Sequence, residues 1–222
     1  MPRVTTILAA VAAALSVPAA AGATCNFRND PFPPQTSYQV FHDPAHAKVV
    51  LFSGDVRENE SKILQQVLQQ NPDVAEVWLH SPGGIAIEGM RMGRILRDAG
   101  LVTRIRSRGQ CYSACSMAFA GGMLRVVEPG GMYGVHMFSA AGSAEFREQL
   151  RRGLAGDAQQ AQDTIQWTEQ FNAQVAAEQA KYLLAMGLSV RLNDLMVRTE
   201  AKGMRCLQTS ELQDFNVTNL VE

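Results

Sequence analysis

The stretch that decides the fold runs from His80 to His136 and contains two glycine-bearing turns, HSPGGIAIEGM at residues 80–90 and GQCYSACSM at residues 109–117. Each turn follows a short apolar segment of strand length and precedes a segment with helical periodicity. A strand, a tight turn and a helix in succession bring a hydroxyl, an imidazole and glycine N–H groups towards one end of a sheet. These are the components of an acyl-transfer site.

Apolar runs of strand length alternate with amphipathic helical segments on both sides of this stretch. The predicted strands cover residues 48–53, 74–80, 102–105, 124–127 and 132–136, and two short helices are predicted at 189–198 and 210–215. Strand, helix and strand in succession imply a right-handed crossover, so we predict an α/β fold with a mainly parallel sheet. Residues 25–38 are rich in proline and polar side chains and are expected to lie extended on the surface, followed by solvated loop histidines at 42 and 46.

A glutamine- and alanine-rich helical extension is predicted from about residue 140 to 186. Gly153 and Gly156 are expected to break it, and Asp157 is a candidate cap for the second part. One imperfect apolar stripe consists of Leu150, Leu154, Ala161, Ile165 and Val175. We expect this stripe to pack on the protein's own core, with an oligomer contact as the alternative.

The first 23 residues have the features of a secretory signal peptide. Arg3 precedes an apolar run from Ile7 to Val17, and the small residues 21–23 form a cleavage site. The run is short for a membrane span, which needs about 20 strongly apolar residues. We therefore predict an exported protein, periplasmic or secreted, with a single domain over residues 24–222.

The cysteines and the charge balance limit the remaining possibilities. Cys25, Cys111, Cys115 and Cys206 predict two disulfides in an oxidising compartment, with three pairings open. Lipidation of Cys25 is an alternative, although Thr24 is an unfavourable residue before a lipidated cysteine. The spacing lacks paired Cys-x-x-Cys knuckles, so we predict neither zinc nor another cofactor. A formal net charge of −1 indicates neither nucleic acid nor an anionic membrane as partner.

Ser113 is the candidate nucleophile. It stands where a helix begins, so the local N–H groups favour negative charge beside it. The Gly83–Gly84 turn has no side chains that would keep a carbonyl from its N–H groups. His136 ends a later parallel strand, and active sites of such sheets collect at the strand carboxyl ends. We therefore predict His136 as the base.

Several segments carry a family resemblance in their order along the chain. They are Lys48–Val56, Ser81–Gly84 with Gly89-Met90, Gly109-Gln110 with Ser113, Ala120-Gly121 and Val135-His136. This set resembles the proteolytic subunit of the caseinolytic (Clp) serine proteases, in the wider ClpP/crotonase fold. The similarity covers about residues 48–138 and resumes weakly over 205–217.

The resemblance implies a fold of repeated ββα and βαβ units and a serine peptidase with Ser113 as nucleophile and His136 as general base. Backbone N–H groups of Gly84 and Ala114 would form the oxyanion hole, and the edge at residues 83–85 would pair with a peptide. Family members assemble into rings, which implies a homo-oligomer. An exported chain would not meet the cytosolic ATPase of that family, so we expect a peptide or unfolded protein as substrate and no ATPase partner.

One position departs from the family pattern. The family's acid lies just before the segment that residues 205–207 resemble, and that position holds Met204. A carboxylate could come from Glu200, Asp194 or Asp163 instead, or the site could be a Ser-His dyad.

Two other function classes stay open. Loss of the acid position favours a catalytically impaired relative that serves as a peptide-binding or scaffold protein. The same oxyanion hole could act on thioesters, as in crotonase-like enzymes, although Ser113 and His136 at protease positions count against that alternative.

Overall fold

The computed structural model describes Cys25, residues 30–140 and residues 144–220 of the 222-residue chain. The predicted signal peptide, residues 1–23, lies outside the described residues, so its cleavage stays a prediction. Within the described residues the strands are β1 Ser37–Asp43, β2 Ala47–Ser53, β3 Glu76–His80, β4 Val102–Ile105, β5 Gln110–Tyr112, β6 Leu124–Val127, β7 Met132–Val135 and β8 Arg205–Cys206. The helices are α1 Glu60–Gln70, α2 Ala86–Asp98, α3 Ala114–Ala120, α4 Ala144–Ala155, α5 Ala158–Ala185, α6 Val190–Arg198 and α7 Thr209–Asp214.

Five strands form the larger sheet, in the order β1-β2-β3-β4-β6. Strands β2, β3, β4 and β6 are parallel to their neighbours, and β1 is antiparallel to β2. The central strands are largely buried, as strands of parallel sheets usually are. Their buried residues include Val49, Val50, Phe52, Val77, Trp78 and Leu79. The predicted α/β class with a mainly parallel sheet is confirmed.

Strand β1 is a departure from the sequence-based expectation, which placed a surface segment and loop histidines here. His42 lies within β1, opposite Lys48 of β2. The half-buried His46 lies 3.4 Å from the Glu76 carboxylate and packs edge-on against Trp78, so it is not simply solvated. An edge strand mixes exposed and half-buried residues, and β1 therefore lacks the apolar run that identifies the central strands.

A second, smaller sheet has the order β5-β7-β8. Strands β5 and β7 are parallel, with Tyr112 opposite Gly134, and β7 and β8 are antiparallel, with Gly134 opposite Cys206. An isolated parallel bridge between Ser81 and Cys111 joins β5 to the chain that leaves β3. This pairing brings together the chain segments that follow β3, β5 and β7.

Helix α3 is buried along its whole length and packs against α2 through glycines. A Cβ atom at Gly89 would lie 2.1 Å from the Ala114 carbonyl oxygen, and one at Gly121 would lie 2.0 Å from that of Gly93. Only residues without a side chain permit this approach. The contacts hold the first turn of α3 against the N-terminal part of α2, and the C-terminal end of α3 against the middle of α2.

The arginines of α2 differ in their exposure. Arg91 and Arg94 are exposed, whereas Arg97 is half-buried. The Arg97 guanidinium donates to the carbonyls of Gly121 (2.9 Å), Gly122 (3.0 Å), Ala120 (3.3 Å) and Met186 (3.2 Å). The last carbonyls of a helix lack intrahelical donors, and Arg97 supplies them for α3.

The helical extension divides into α4 and α5 at residues 156–157. Asp157 caps α5 as predicted, because its carboxylate accepts a hydrogen bond of 3.0 Å from the Gln160 N–H. Gly153, however, does not break α4. A Cβ at Gly153 would lie 2.3 Å from Thr164 Oγ1, so this glycine permits close contact between the two helices.

The apolar stripe on these helices packs only in part. Val175 is buried, but Leu150 and Ile165 are exposed and Leu154 is 77% exposed. The expected packing on the protein's own core is therefore right for Val175 and wrong for these three residues.

Both predicted disulfides are present. Cys25 pairs with Cys206 of β8, and Cys111 pairs with Cys115 across Ser113. Two disulfides are compatible with an exported protein. Among the described residues, no helix has the length and apolar composition needed to cross a membrane.

Candidate active site

Ser113 occupies the junction between β5 and α3. Its N–H donates to the Gly134 carbonyl of β7 at 3.0 Å, and its backbone has φ 56° and ψ −119°. A positive φ is unfavourable for a residue with a side chain, and residues held in this way cluster at functional sites. In the described part of the chain the Ser113 hydroxyl makes no capping hydrogen bond, although the residue holds the cap position of α3. The hydroxyl is therefore not used by the helix.

Gly83 packs directly against this serine. With φ 101°, a Cβ at Gly83 would lie 2.5 Å from the Tyr112 carbonyl oxygen and 2.7 Å from Ser113 Cβ. Its N–H donates to the Ser81 hydroxyl at 3.0 Å. The first glycine of the turn thus supports the serine and has no free donor to offer.

Gly84 and Ala114 supply the free N–H groups. Val56 and Ile85 use their N–H groups to pair the two chain segments around Gly84, which leaves the Gly84 N–H outside this pairing. The Ala114 N–H belongs to the first residue of α3 and has no intrahelical acceptor. Within the described chain neither group donates a hydrogen bond, so both can bind an external oxygen.

His136 follows the carboxyl end of β7 and is half-buried. Burial lowers the pKa of His136, and the neighbouring Met137 backbone offsets part of this shift. The Nδ1 atom is buried and has no hydrogen-bond partner among the described residues. A neutral imidazole with a proton on Nδ1 leaves Nε2 free to act as a base.

One cavity of about 70 Å³ brings the predicted residues together: Gly84, Ser113, Ala114 and His136 all line it. The remaining lining residues are Ala86, Met117, Met137, Phe138, Ser139, Gln179 and Met196. In the described structure Ser113 and His136 are not hydrogen-bonded to each other. Such bonds are often long or poorly aligned before substrate binds.

The three candidate acids lie elsewhere. Asp194 pairs with Arg198 at 2.9 Å, Asp163 accepts from Gln159 at 2.8 Å, and Glu200 is an exposed residue after α6. None of them lines the cavity or accepts a hydrogen bond from His136. Of the two options that the sequence left open, this geometry favours a dyad.

Met204 does not line the cavity. It belongs to a small apolar cluster around Cys25, Tyr112 and Cys206. Its side chain lies so close to β7 that a Cβ at Gly134 would be 3.0 Å from its sulfur. Position 204, where the resemblance would place an acid, therefore holds a packing residue.

Gln179 was missed by the sequence analysis. It is only 4% exposed, and its amide nitrogen donates to Asn193 Oδ1 at 3.0 Å and to the Met196 sulfur at 3.6 Å. One buried glutamine in a glutamine-rich helix carries no compositional signal. The helical periodicity that places Val175 inward also places position 179 inward, and that pattern was the available signal.

Within the described residues, no group of three histidine, cysteine, aspartate or glutamate side chains could hold a metal ion. Comparison of the chain with known proteins found no matching family model and no matching curated protein.

Proposed function

We propose that this chain is an exported serine hydrolase that resembles the Clp proteolytic subunit and cleaves peptides or unfolded polypeptides. The observation that carries the proposal is the shared cavity, which Ser113, His136, Gly84 and Ala114 all line. Within the described chain the N–H groups of Gly84 and Ala114 donate no hydrogen bond. The ClpP/crotonase fold is part of this proposal, and the mainly parallel sheet supports it at the level of fold class.

In the proposed reaction, His136 Nε2 takes the hydroxyl proton while Ser113 Oγ attacks the peptide carbonyl carbon. The carbonyl electrons move to oxygen, which accepts hydrogen bonds from the N–H groups of Gly84 and Ala114. The intermediate then expels the amine, which leaves with the proton from His136. Water repeats the same steps on the Ser113 ester and releases the acid product.

A dyad implies slow turnover. Impairing the acid of a Ser-His-Asp triad lowers kcat by about 10⁴, because the imidazole loses its orienting acceptor. His136 Nδ1 lacks such an acceptor in the described chain. We therefore expect a weak peptidase whose remaining rate comes from the oxyanion hole and from substrate positioning.

The backbone at residues 83–85 supports peptide binding. The Gly83 carbonyl and the Ile85 N–H face Val56, with hydrogen bonds of 2.8 and 2.9 Å. The backbone N–H and carbonyl of Gly84, the residue between them, point to the opposite side, where an extended peptide would add as a strand. Ile85 is exposed beside this edge.

Hydrolysis of an unfolded, quenched-fluorescent protein by the mature, oxidised chain tests the proposal. Ser113→Ala and His136→Ala should each abolish the signal. Ser189→Ala is the control, because Ser189 also holds the N-terminal cap position of a helix but does not line the cavity. It should retain wild-type activity. Activity that survives Ser113→Ala would refute the assignment of the nucleophile.

A catalytically impaired peptide-binding or scaffold protein is the second candidate. The buried Nδ1 of His136 favours this candidate, because it has no hydrogen-bond partner in the described chain. No acceptor therefore holds the imidazole in the orientation that proton transfer requires. Anisotropy of a labelled unfolded peptide separates the candidates. Binding without cleavage by the wild type would select the second candidate, and cleavage would select the first.

A homo-oligomer is also part of the proposal. The exposed leucines and isoleucine of α4 and α5 supply an apolar surface that the single chain leaves uncovered. Sedimentation should show an assembly that Leu154→Glu weakens. A monomer at all concentrations would contradict this part of the proposal.

A further inference from the structure

The Cys111–Cys115 disulfide encloses the proposed nucleophile. Cys111 lies in β5, Cys115 lies in the first turn of α3, and Ser113 stands midway between them. Both cysteines are fully buried, with 0% exposure. The bridge therefore joins the strand side and the helix side of the turn that carries the hydroxyl.

Ser113 needs such a constraint because its backbone conformation is unfavourable. A non-glycine residue at φ 56° and ψ −119° persists only where its surroundings hold it. On the strand side, the Tyr112 N–H donates to the Ser81 carbonyl and the Ser113 N–H to the Gly134 carbonyl, both at 3.0 Å. On the helix side, the Ser116 hydroxyl donates to the Ser113 carbonyl at 2.5 Å.

The two disulfides differ greatly in the length of chain that they close. Cys111 and Cys115 are separated by 4 positions, and Cys25 and Cys206 by 181. A cross-link restricts the unfolded chain more when it closes a longer loop. The short bridge therefore adds less to global stability, and its effect is concentrated on the few residues it encloses.

We propose that the Cys111–Cys115 disulfide is a positioning element that holds the Ser113 hydroxyl in its reactive orientation. The inference rests on the proposed hydrolase function of the same site. Without the bridge, the β5–α3 junction relaxes towards a more favourable backbone conformation, and the hydroxyl moves away from His136 and from the free N–H groups. Cys111 and Cys115 do not touch the substrate, so they act only through the serine.

The test compares disulfide-free variants with a matched control. C111A/C115A removes the short bridge, C111V/C115A removes it while filling more of the vacated volume, and C25A/C206A removes the long bridge. For each folded variant, the rate of phosphonylation by a fluorophosphonate is measured over a range of probe concentrations, together with the Tm. Amide hydrogen exchange at Ser113 and Ser116 gives a readout that does not require reactivity.

We expect both short-bridge variants to lose at least tenfold in the maximal phosphonylation rate, with little change in the half-saturating probe concentration. Exchange at Ser113 and Ser116 should rise about tenfold in the same variants. C25A/C206A should have the larger decrease in Tm and should keep the phosphonylation rate within about twofold.

Three results would overturn the inference. Wild-type rates and exchange in C111A/C115A would show that the bridge does not position Ser113. Recovery in C111V/C115A would show that side-chain volume, rather than the covalent link, is required. Failure of both variants to fold would show that the bridge is required for folding and not for positioning Ser113.

The same experiment separates the inference from the hydrolase proposal. If wild-type Ser113 is not phosphonylated at all, both the hydrolase proposal and the inference fail. If the wild type and the variants are equally reactive, only the inference fails.

Discussion

Ser113 and Gly84 both hold positive φ angles on the wall of one cavity. Gly84 adopts φ 143° without a side-chain penalty, whereas Ser113 bears a cost that its surroundings must offset. Among the described residues, the N–H groups of Gly84 and Ala114 donate no hydrogen bond and His136 Nδ1 has no partner. At the scale of single residues, these unsatisfied groups distinguish the cavity from an ordinary strand-to-helix turn.

The pH dependence of phosphonylation follows from His136. Burial holds its pKa below the ordinary value of 6.5, and only the neutral imidazole can accept the Ser113 proton. The rate should be highest where the imidazole is neutral and should fall on acidification below pH 6.5, as the imidazole gains a proton. A rate that increases on acidification would contradict His136 as the base.

The lowered pKa of His136 also makes the free energy of unfolding depend on pH, and the direction of the shift determines the sign of this dependence. A lowered pKa in the folded state means that the unfolded chain binds the proton more tightly. The contribution of His136 is therefore fully present above its ordinary pKa and is lost as pH falls through the folded-state pKa. Urea unfolding at several pH values should show a smaller acid-side decrease in His136→Gln than in the wild type.

Gly84→Ala should remove most of the activity. The new Cβ would lie 2.2 Å from the Val56 carbonyl oxygen, so the backbone must move and the N–H must leave its position. Loss of one oxyanion donor costs about 10²–10³ in kcat. Gly100→Ala is the control, because φ is 67° there and a Cβ would meet no other described residue within 4 Å apart from the chain neighbours. It should cost about 1–2 kcal/mol of stability and leave kcat unchanged. Equal activity in the two variants would contradict the role of Gly84.

The elements show which parts of the fold a sequence reveals. Strands β2 and β4 are mostly buried, and the sequence predicted them nearly to the residue. Edge strand β1 was missed because its side chains are only partly buried. Gly153 was assigned to a helix break because local propensity does not reveal that a second helix passes at contact distance.

The candidate site also contains residues that the sequence predicted and residues that it could not predict. The order of strands in a parallel sheet predicted that Ser113 and His136 would share one end, and both line one cavity. Gln179 and Met196 complete the cavity from helices that are distant in sequence. No spacing rule links those helices to β5, so only tertiary packing could show these two residues.

Gly153→Ala tests the contact between α4 and α5. Alanine gains about 1 kcal/mol of helix propensity over glycine. Overlap with Thr164 Oγ1, which would lie 2.3 Å from the new Cβ, should cost more than this gain. Overpacking typically costs about 1–3 kcal/mol, so we expect a net loss of stability in urea unfolding. A net gain would show that the two helices separate freely.

At the scale of the whole molecule, the long disulfide ties the N-terminal part of the chain to β8. Cys25 and Cys206 lie with Tyr112 in a small buried cluster at the second sheet. Strand β8 pairs with β7, whose carboxyl end carries His136. The bridge thus attaches Cys25 to the β5-β7-β8 sheet, and the two proposed catalytic residues follow β5 and β7 of that sheet.

C25A/C206A should lower the free energy of unfolding by about 2–5 kcal/mol, since the bridge closes a loop across 181 positions. Urea unfolding under oxidising conditions measures the loss, with the wild type as reference. An unchanged midpoint would show that the Cys25–Cys206 bridge does not stabilise the fold.

The central claim is that Ser113 is an activated nucleophile. Its most direct test is to treat the mature, oxidised protein with a fluorophosphonate and to locate the adduct by mass spectrometry. We expect one adduct, on Ser113, which disappears in both Ser113→Ala and His136→Ala and persists in Ser189→Ala. A folded protein that acquires no adduct, or acquires it on another residue, would contradict the claim.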